Sequence, residues 1–177
     1  MSASAALLFF LPALSFSQIN APLVTGPMHL DGVLNEKQWE SAQVISDFTQ
    51  RELNEGAAPS FRTEVRVMHD GDNLWIGFVC HDPEPDKIIR KELKWDGGIA
   101  NDDMVAFTLD TYHDKRMGYC FGTNANGAHY DATFAADRDM GSQWDGIWDV
   151  ASRVTPEGWA CEMMIPFKTL RFPEGGT

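Results

Sequence analysis

Apolar residues at every second position, in runs of four to nine broken by turn residues, constrain this chain more than any other feature. Thr63, Val65 and Val67 alternate with Glu64, Arg66 and Met68, and His69-Asp70-Gly71-Asp72-Asn73 follows as a turn. Leu74-Trp75-Ile76-Gly77-Phe78-Val79-Cys80 then returns as a run apolar on both faces. A period of two belongs to strands, and a strand apolar on both faces lies centrally in a sheet. Val105, Phe107 and Leu109 repeat the alternation, as do Tyr119, Phe121 and Thr123, and Tyr130, Ala132 and Phe134. Trp148, Val150, Ser152 and Val154 follow, then Trp159, Cys161, Met163 and Ile165. Asn124-Ala125-Asn126-Gly127 and Thr155-Pro156-Glu157-Gly158 are hairpin turns, because Asn and Gly tolerate positive φ. Seven or more short strands at this spacing predict an all-β fold, a β-sandwich of immunoglobulin-like or jelly-roll type. One short helix is expected near the N-terminus, where Asn35 caps a segment that puts Trp39 and Ala42 on one face.

The strand-rich part begins late. The first charged side chain is Asp31, and Ala5–Phe16 forms an apolar run with small residues around Ser15-Phe16-Ser17. That length suits the core of a signal peptide and is too short to cross a bilayer, although no Lys or Arg precedes it. Residues 1–17 are therefore expected to direct export, and residues 18–177 to form the mature domain, in the periplasm, outer membrane or cell surface. The alternative for the run is a buried apolar strand. At the other end, Pro166–Phe172 reads as ordered and Glu174-Gly175-Gly176-Thr177 simply stops, so the domain is expected to be truncated and to adjoin a downstream region.

Charge and cysteine content narrow the function classes. The net charge of −12 excludes the basic footprint that nucleic acid requires and disfavours anionic lipid. Cys80, Cys120 and Cys161 are odd in number and sit in apolar runs, which predicts three buried thiols. No nucleophile elbow, zinc-binding His pair, phosphate loop or dinucleotide fingerprint is present. Two sets of acidic residues, Asp102-Asp103 and Asp131 with Asp145, could supply the paired carboxylates of a glycosidase. Asp70 and Asp72, in the turn Asp70-Gly71-Asp72-Asn73, are candidates for calcium, since hard oxygen ligands suit it; Asp96, Asn101, Asp102 and Asp103 form a comparable set.

Tryptophans carry the most information. Trp39, Trp75 and Trp159 fall in periodic elements and are expected in the core. Trp95 and Trp144 fall in polar loops rich in Gly and Asp, and Trp148 opens a strand. An indole face beside carboxylates and amides suits a pyranose, whose apolar C–H face stacks while polar neighbours bind hydroxyls.

Several segments resemble one family. Leu30-Asp31-Gly32-Val33-Leu34-Asn35-Glu36, with Trp39 and Ala42, resembles the opening of family 9 carbohydrate-binding modules. Thr63–Val67, Asn73–Gly77 and Asp103–Asp110 are similar to its next strands. Asp110-Thr111-Tyr112, Phe121-Gly122-Thr123-Asn124 and the stretch Gly158–Phe172 resemble the branch found at the front of large bacterial envelope proteins. The resemblance spans roughly residues 28–172. It implies a β-sandwich that binds an oligo- or polysaccharide without cleaving it, sugar held between two tryptophans, and structural calcium. In that branch a β-rich, outer-membrane region usually follows. Carried onto this chain, Trp95 and Trp144 would stack on the sugar in one solvent-open cleft, with Trp148 as a further contact, and Asp96, Asp103 and Asn124 would bond hydroxyls. The alternatives are a structural domain packing on the downstream region and an O-glycosyl hydrolase.

Overall fold

The computed structural model describes residues 19–135, 140–141 and 144–173. The expected signal segment 1–17 and the terminal Glu174–Thr177 lie outside the described residues. Eight strands form two four-stranded antiparallel sheets. The first sheet has the order β1-β2-β8-β7, with β1 Thr63–His69, β2 Asn73–His81, β7 Asp149–Thr155 and β8 Gly158–Pro166. The second has the order β3-β4-β5-β6, with β3 Met104–Leu109, β4 Met117–Asn124, β5 Tyr130–Ala135 and β6 Met140–Gly141. The all-β sandwich read from the alternation is the observed architecture.

Register follows from the hydrophobic pattern. In β2, Ile76 and Phe78 face Cys161, Met163 and Phe121 in the core between the sheets, while Trp75 points the other way. That opposite face is covered too. The N-terminal segment wraps across the first sheet, and Val24, Trp39 and Ala42 pack with Met68 and Trp75 in a second, smaller cluster. Isolated bridges from Leu23 to His69 and from Ile45 to Val65 fasten this segment to β1. Two covered faces explain why β2 lacks polar alternation. Trp39, Trp75 and Trp159 are all buried, as their periodic settings implied.

The N-terminal helix is shorter and tighter than expected. It is a 3-10 turn, Lys37–Ser41, preceded by Glu36 rather than Asn35 at the cap position, with no side-chain cap. Five residues cannot close α-helical hydrogen bonds usefully, so burial of Trp39 and Ala42 fixes the turn. All three cysteines are free; Cys120 and Cys161 are buried, and burial pushes the half-buried Cys80 thiol up to about 12.

The β7–β8 hairpin turns on Gly158, at φ 138°, where a Cβ would overlap the carbonyl oxygen of Cys80 on β2. Gly158→Ala is expected to destabilise the domain by at least about 2 kcal/mol, from backbone strain plus lost β2–β8 pairing. A urea midpoint equal to that of the unmodified domain would show that the turn relaxes without strain.

Candidate functional site

The long connection between β2 and β3 is held by its own polar side chains. Asp102 accepts the backbone N–H groups of Lys91 and Glu92 and the side-chain amide of Asn124, all on Oδ2, at 2.9, 2.8 and 2.7 Å. Those bonds, the one from the Glu92 N–H foremost, hold the Asp102 carboxyl below its ordinary value. Asn124 also donates to the Glu92 carbonyl, and its Oδ1 accepts the N–H groups of Asn126 and Ala128. Asp103 accepts the Ile89 N–H, and its own N–H donates to the Ile89 carbonyl. The loop therefore enters and leaves the sandwich clamped at both ends.

At its tip, Lys94–Gly97 makes a tight turn closed by the Gly97 N–H on the Lys94 carbonyl, with Asp96 at φ 52°. This turn presents Trp95, a residue 50% exposed. One face of the indole stacks on His129, with centroids 4.1 Å apart and planes 10° from parallel. His129 in turn packs edgewise on Trp148, and Trp148 on Phe121. A continuous aromatic column thus runs from solvent into the core and fixes the orientation of Trp95. Burial pushes the His129 pKa down, so the imidazole in this column is neutral at pH 7. Asp96, the next residue, is exposed; its N–H donates to the His129 carbonyl and its Oδ1 accepts the Asp131 N–H at 3.5 Å.

The other expected ligand residues divide. Trp148 is 2% exposed, and its Nε1 donates to Asp131 at 2.7 Å. It is a core residue with no open face, which corrects its reading as a sugar contact. Asn124 is fully buried and both its donors and its acceptor are engaged, so it buttresses the loop and cannot bond a hydroxyl. Asp103 likewise commits one oxygen to the loop but remains exposed. Trp144 is half-buried and packs on Tyr119 and Phe121. It lines a cavity of about 410 Å³ together with Thr133, Phe134 and Ala135. Trp95 stacks on His129, just before β5, whereas Trp144 packs on Tyr119 and Phe121 of β4. Trp95 is not among the residues that line the cavity beside Trp144.

Asp70 does not fit calcium. Its oxygens accept the N–H groups of Asp72 and Asn73, the Asn73 amide and Trp75 Nε1, an all-donor surround that suits an anion and repels a cation. These bonds, led by that from Trp75, outweigh the opposing burial and hold its pKa below the usual carboxylate value. Asp72 is exposed, and among the described residues no three His, Cys, Asp or Glu side chains are grouped so as to hold a metal ion. The proposed glycosidase pairs also lack the required setting: Asp131 is buried with both oxygens bonded, to Trp148 Nε1 and the Gly146 N–H, and Asp102 is depressed where a general acid needs a raised pKa. His129 carries no signal of its own in the sequence, because its adjacency to Trp95 depends on the fold of the β2–β3 loop.

Comparison with known proteins agrees with this architecture. The family described as "Carbohydrate family 9 binding domain-like" matches residues 30–177. A family 9 carbohydrate-binding module from Caldicellulosiruptor kristjanssonii, solved with cellotriose, superposes with a TM-score of 0.59 at 16% identity, over 89% of this chain and 71% of that one. The same organism's module with glucose gives 0.54 at 16% identity, over 88% and 72%. A putative carbohydrate-binding protein from Bacteroides uniformis ATCC 8492 gives 0.57 at 15% identity, over 72% of this chain but only 61% of that one. No curated protein matches in sequence. With the family pattern extending over most of its length, from the Leu30 segment through both sheets, this chain belongs to the carbohydrate family 9 binding domain-like family.

Proposed function

We propose that this domain binds carbohydrate without cleaving it, through the exposed face of Trp95. The observation that carries this reading is the half-exposed indole set on a clamped loop and backed by His129. A ring held in place before the ligand arrives loses little conformational freedom on binding, which is what stacking on a pyranose needs. Asp96 stands beside it as the hydroxyl acceptor, and Asp103 is the next exposed carboxylate along the loop. The related modules solved with cellotriose and glucose make β-glucan fragments the first ligands to try. The setting we infer is an exported protein of the bacterial envelope, cut after residue 17, in which the domain docks glycan for an attached region.

Titration of residues 18–177 with glucose and cellotriose, followed by tryptophan fluorescence and calorimetry, tests the reading. Trp95→Ala is expected to weaken binding at least about tenfold, the loss of roughly 1.4 kcal/mol of stacking, while changing stability by less than about 1 kcal/mol. Unchanged affinity in a folded Trp95→Ala domain would overturn it.

A further inference from the structure

We propose that the cavity beside Trp144 is a second glycan site, separate from Trp95, that takes an acidic sugar ring (a hexuronic acid residue) with Arg171 as the carboxylate anchor; this extends the reading of the domain as carbohydrate-binding. The cavity, about 410 Å³, falls in the range of small-molecule sites. Tyr112, Tyr119, Phe134 and Trp144 supply flat apolar walls of the kind that pack on the C–H face of a pyranose. The walls are fixed from behind. Trp144 rests on Tyr119 and Phe121, with centroids 4.8 and 5.8 Å away, and Gly146 lets the indole lie close to the backbone, where a Cβ would press on the ring. Gly118 similarly leaves room for the Phe134 ring and the Leu109 carbonyl.

Among the described residues, Arg171 is the cationic residue that lines this space. Two other cavity residues hold its backbone: the Arg171 N–H donates to the Tyr119 hydroxyl at 3.1 Å, and Thr111 Oγ1 donates to the Arg171 carbonyl at 2.6 Å. Its guanidinium makes no ion pair among the described residues. On a chain of net charge −12, such an arginine at an aromatic cavity selects for a ligand carboxylate, which the guanidinium fork can meet with two hydrogen bonds. Asp110 and Asp114, in the loop that also carries the lining residues Thr111 and Tyr112, accept N–H groups of their own loop, from Asp114 and Lys115 and from Arg116 and Met117. At physiological salt the screening length is about 8 Å, so negative charges elsewhere on the chain act only weakly on an anion in the cavity. A neutral hexose fits the same walls but leaves the arginine without its partner, so the preference rests on that one side chain.

The experiment compares glucuronic acid and an oligogalacturonate with glucose and cellotriose on the full chain, by calorimetry and fluorescence, in the unmodified protein, Arg171→Gln and Trp95→Ala. The acidic sugars are expected to bind, to lose at least about tenfold in affinity in Arg171→Gln, and to keep their affinity in Trp95→Ala. Melting temperatures should stay unchanged in Arg171→Gln, because the hydrogen bonds of Arg171 come from its backbone. Absence of uronate binding, or uronate binding lost in Trp95→Ala and retained in Arg171→Gln, would overturn the second site. Neither result touches the glucan titration at Trp95, so the two readings fail separately.

Discussion

Glu162→Ala is expected to destabilise the domain by about 3–5 kcal/mol, enough to unfold much of it. Glu162 lies on β8 with no exposed surface, beneath the N-terminal segment. Its Oε1 accepts Trp39 Nε1 at 3.0 Å, and its Oε2 accepts the N–H groups of Asp31 and Gly32 at 3.0 and 2.9 Å. Removing the carboxylate leaves three donors without acceptors, at about 1–3 kcal/mol each where they are fully buried. Gly32 cannot retreat, because even a Cβ there would meet the β7 backbone at Ser152–Arg153. Glu162→Gln keeps one acceptor oxygen and should cost about 1–3 kcal/mol. Urea unfolding at pH 7 measures both; a loss under about 1 kcal/mol for the alanine variant would mean that Glu162 does not fasten the N-terminal segment.

The same carboxylate shapes the pH profile. Burial raises the Glu162 pKa above its unfolded value near 4.5 despite three favourable hydrogen bonds, and burial raises Asp131 above 3.8. For both groups the folded state binds the proton more tightly. Their contribution is therefore full below the unfolded pKa and is lost as pH rises through the folded pKa. Asp70 is shifted the other way from 3.8; its contribution is present above that value and disappears as pH falls through its lower folded pKa. The two windows are separate. The urea midpoint should rise as pH falls from 7.5 through the raised folded pKa values towards about 4.5, and fall again below about 3.8. Glu162→Gln should flatten the upper limb and leave the lower one; a midpoint that declines steadily from pH 7.5 to 4 would contradict the sign assigned to Glu162 and Asp131.

These buried carboxylates mark where the sequence stopped being legible. Alternation placed the strands, because a period of two survives any detail of packing, and a run apolar on both faces correctly put β2 between two covered layers. It could not show that acidic residues would be drawn inside. Glu162 stands among Cys161, Met163 and Ile165 as an apparent outward residue, yet the N-terminal segment closes over that face. Three tryptophans, Trp39, Trp75 and Trp148, each give their Nε1 hydrogen to a carboxylate, Glu162, Asp70 and Asp131. A tryptophan beside an acid in a loop suits sugar binding, but the same pairing satisfies a buried indole, and only the fold distinguishes the two. Trp95 kept its expected exposure because its loop leaves the sandwich, whereas Asn124 was drawn inward by the loop it supports.

Trp148→Ala separates the two kinds of tryptophan most sharply and is expected to cost about 3–5 kcal/mol, the range for deleting a buried aromatic. The indole fills the space between Phe121 and His129, so its loss opens a cavity in the core and breaks the column that supports Trp95 from below. It also strips Asp131 of its strongest donor, leaving a buried carboxylate with the Gly146 N–H as its remaining partner. Trp148→Phe retains most of the volume but not the Nε1 hydrogen, and should cost about 1–3 kcal/mol; if the alanine variant does not fold, this one still reads the hydrogen bond. Trp95→Ala, at a half-exposed tip, should shift stability by less than about 1 kcal/mol. Urea midpoints of the three variants under one condition rank them. The expected order, from the most to the least destabilised, is Trp148→Ala, Trp148→Phe, Trp95→Ala, and equal midpoints for Trp148→Ala and Trp95→Ala would refute the division between a structural and a ligand-facing indole. In the folded Trp148→Phe domain, weaker glucan binding at Trp95 would further show that the aromatic column sets the angle of the exposed ring.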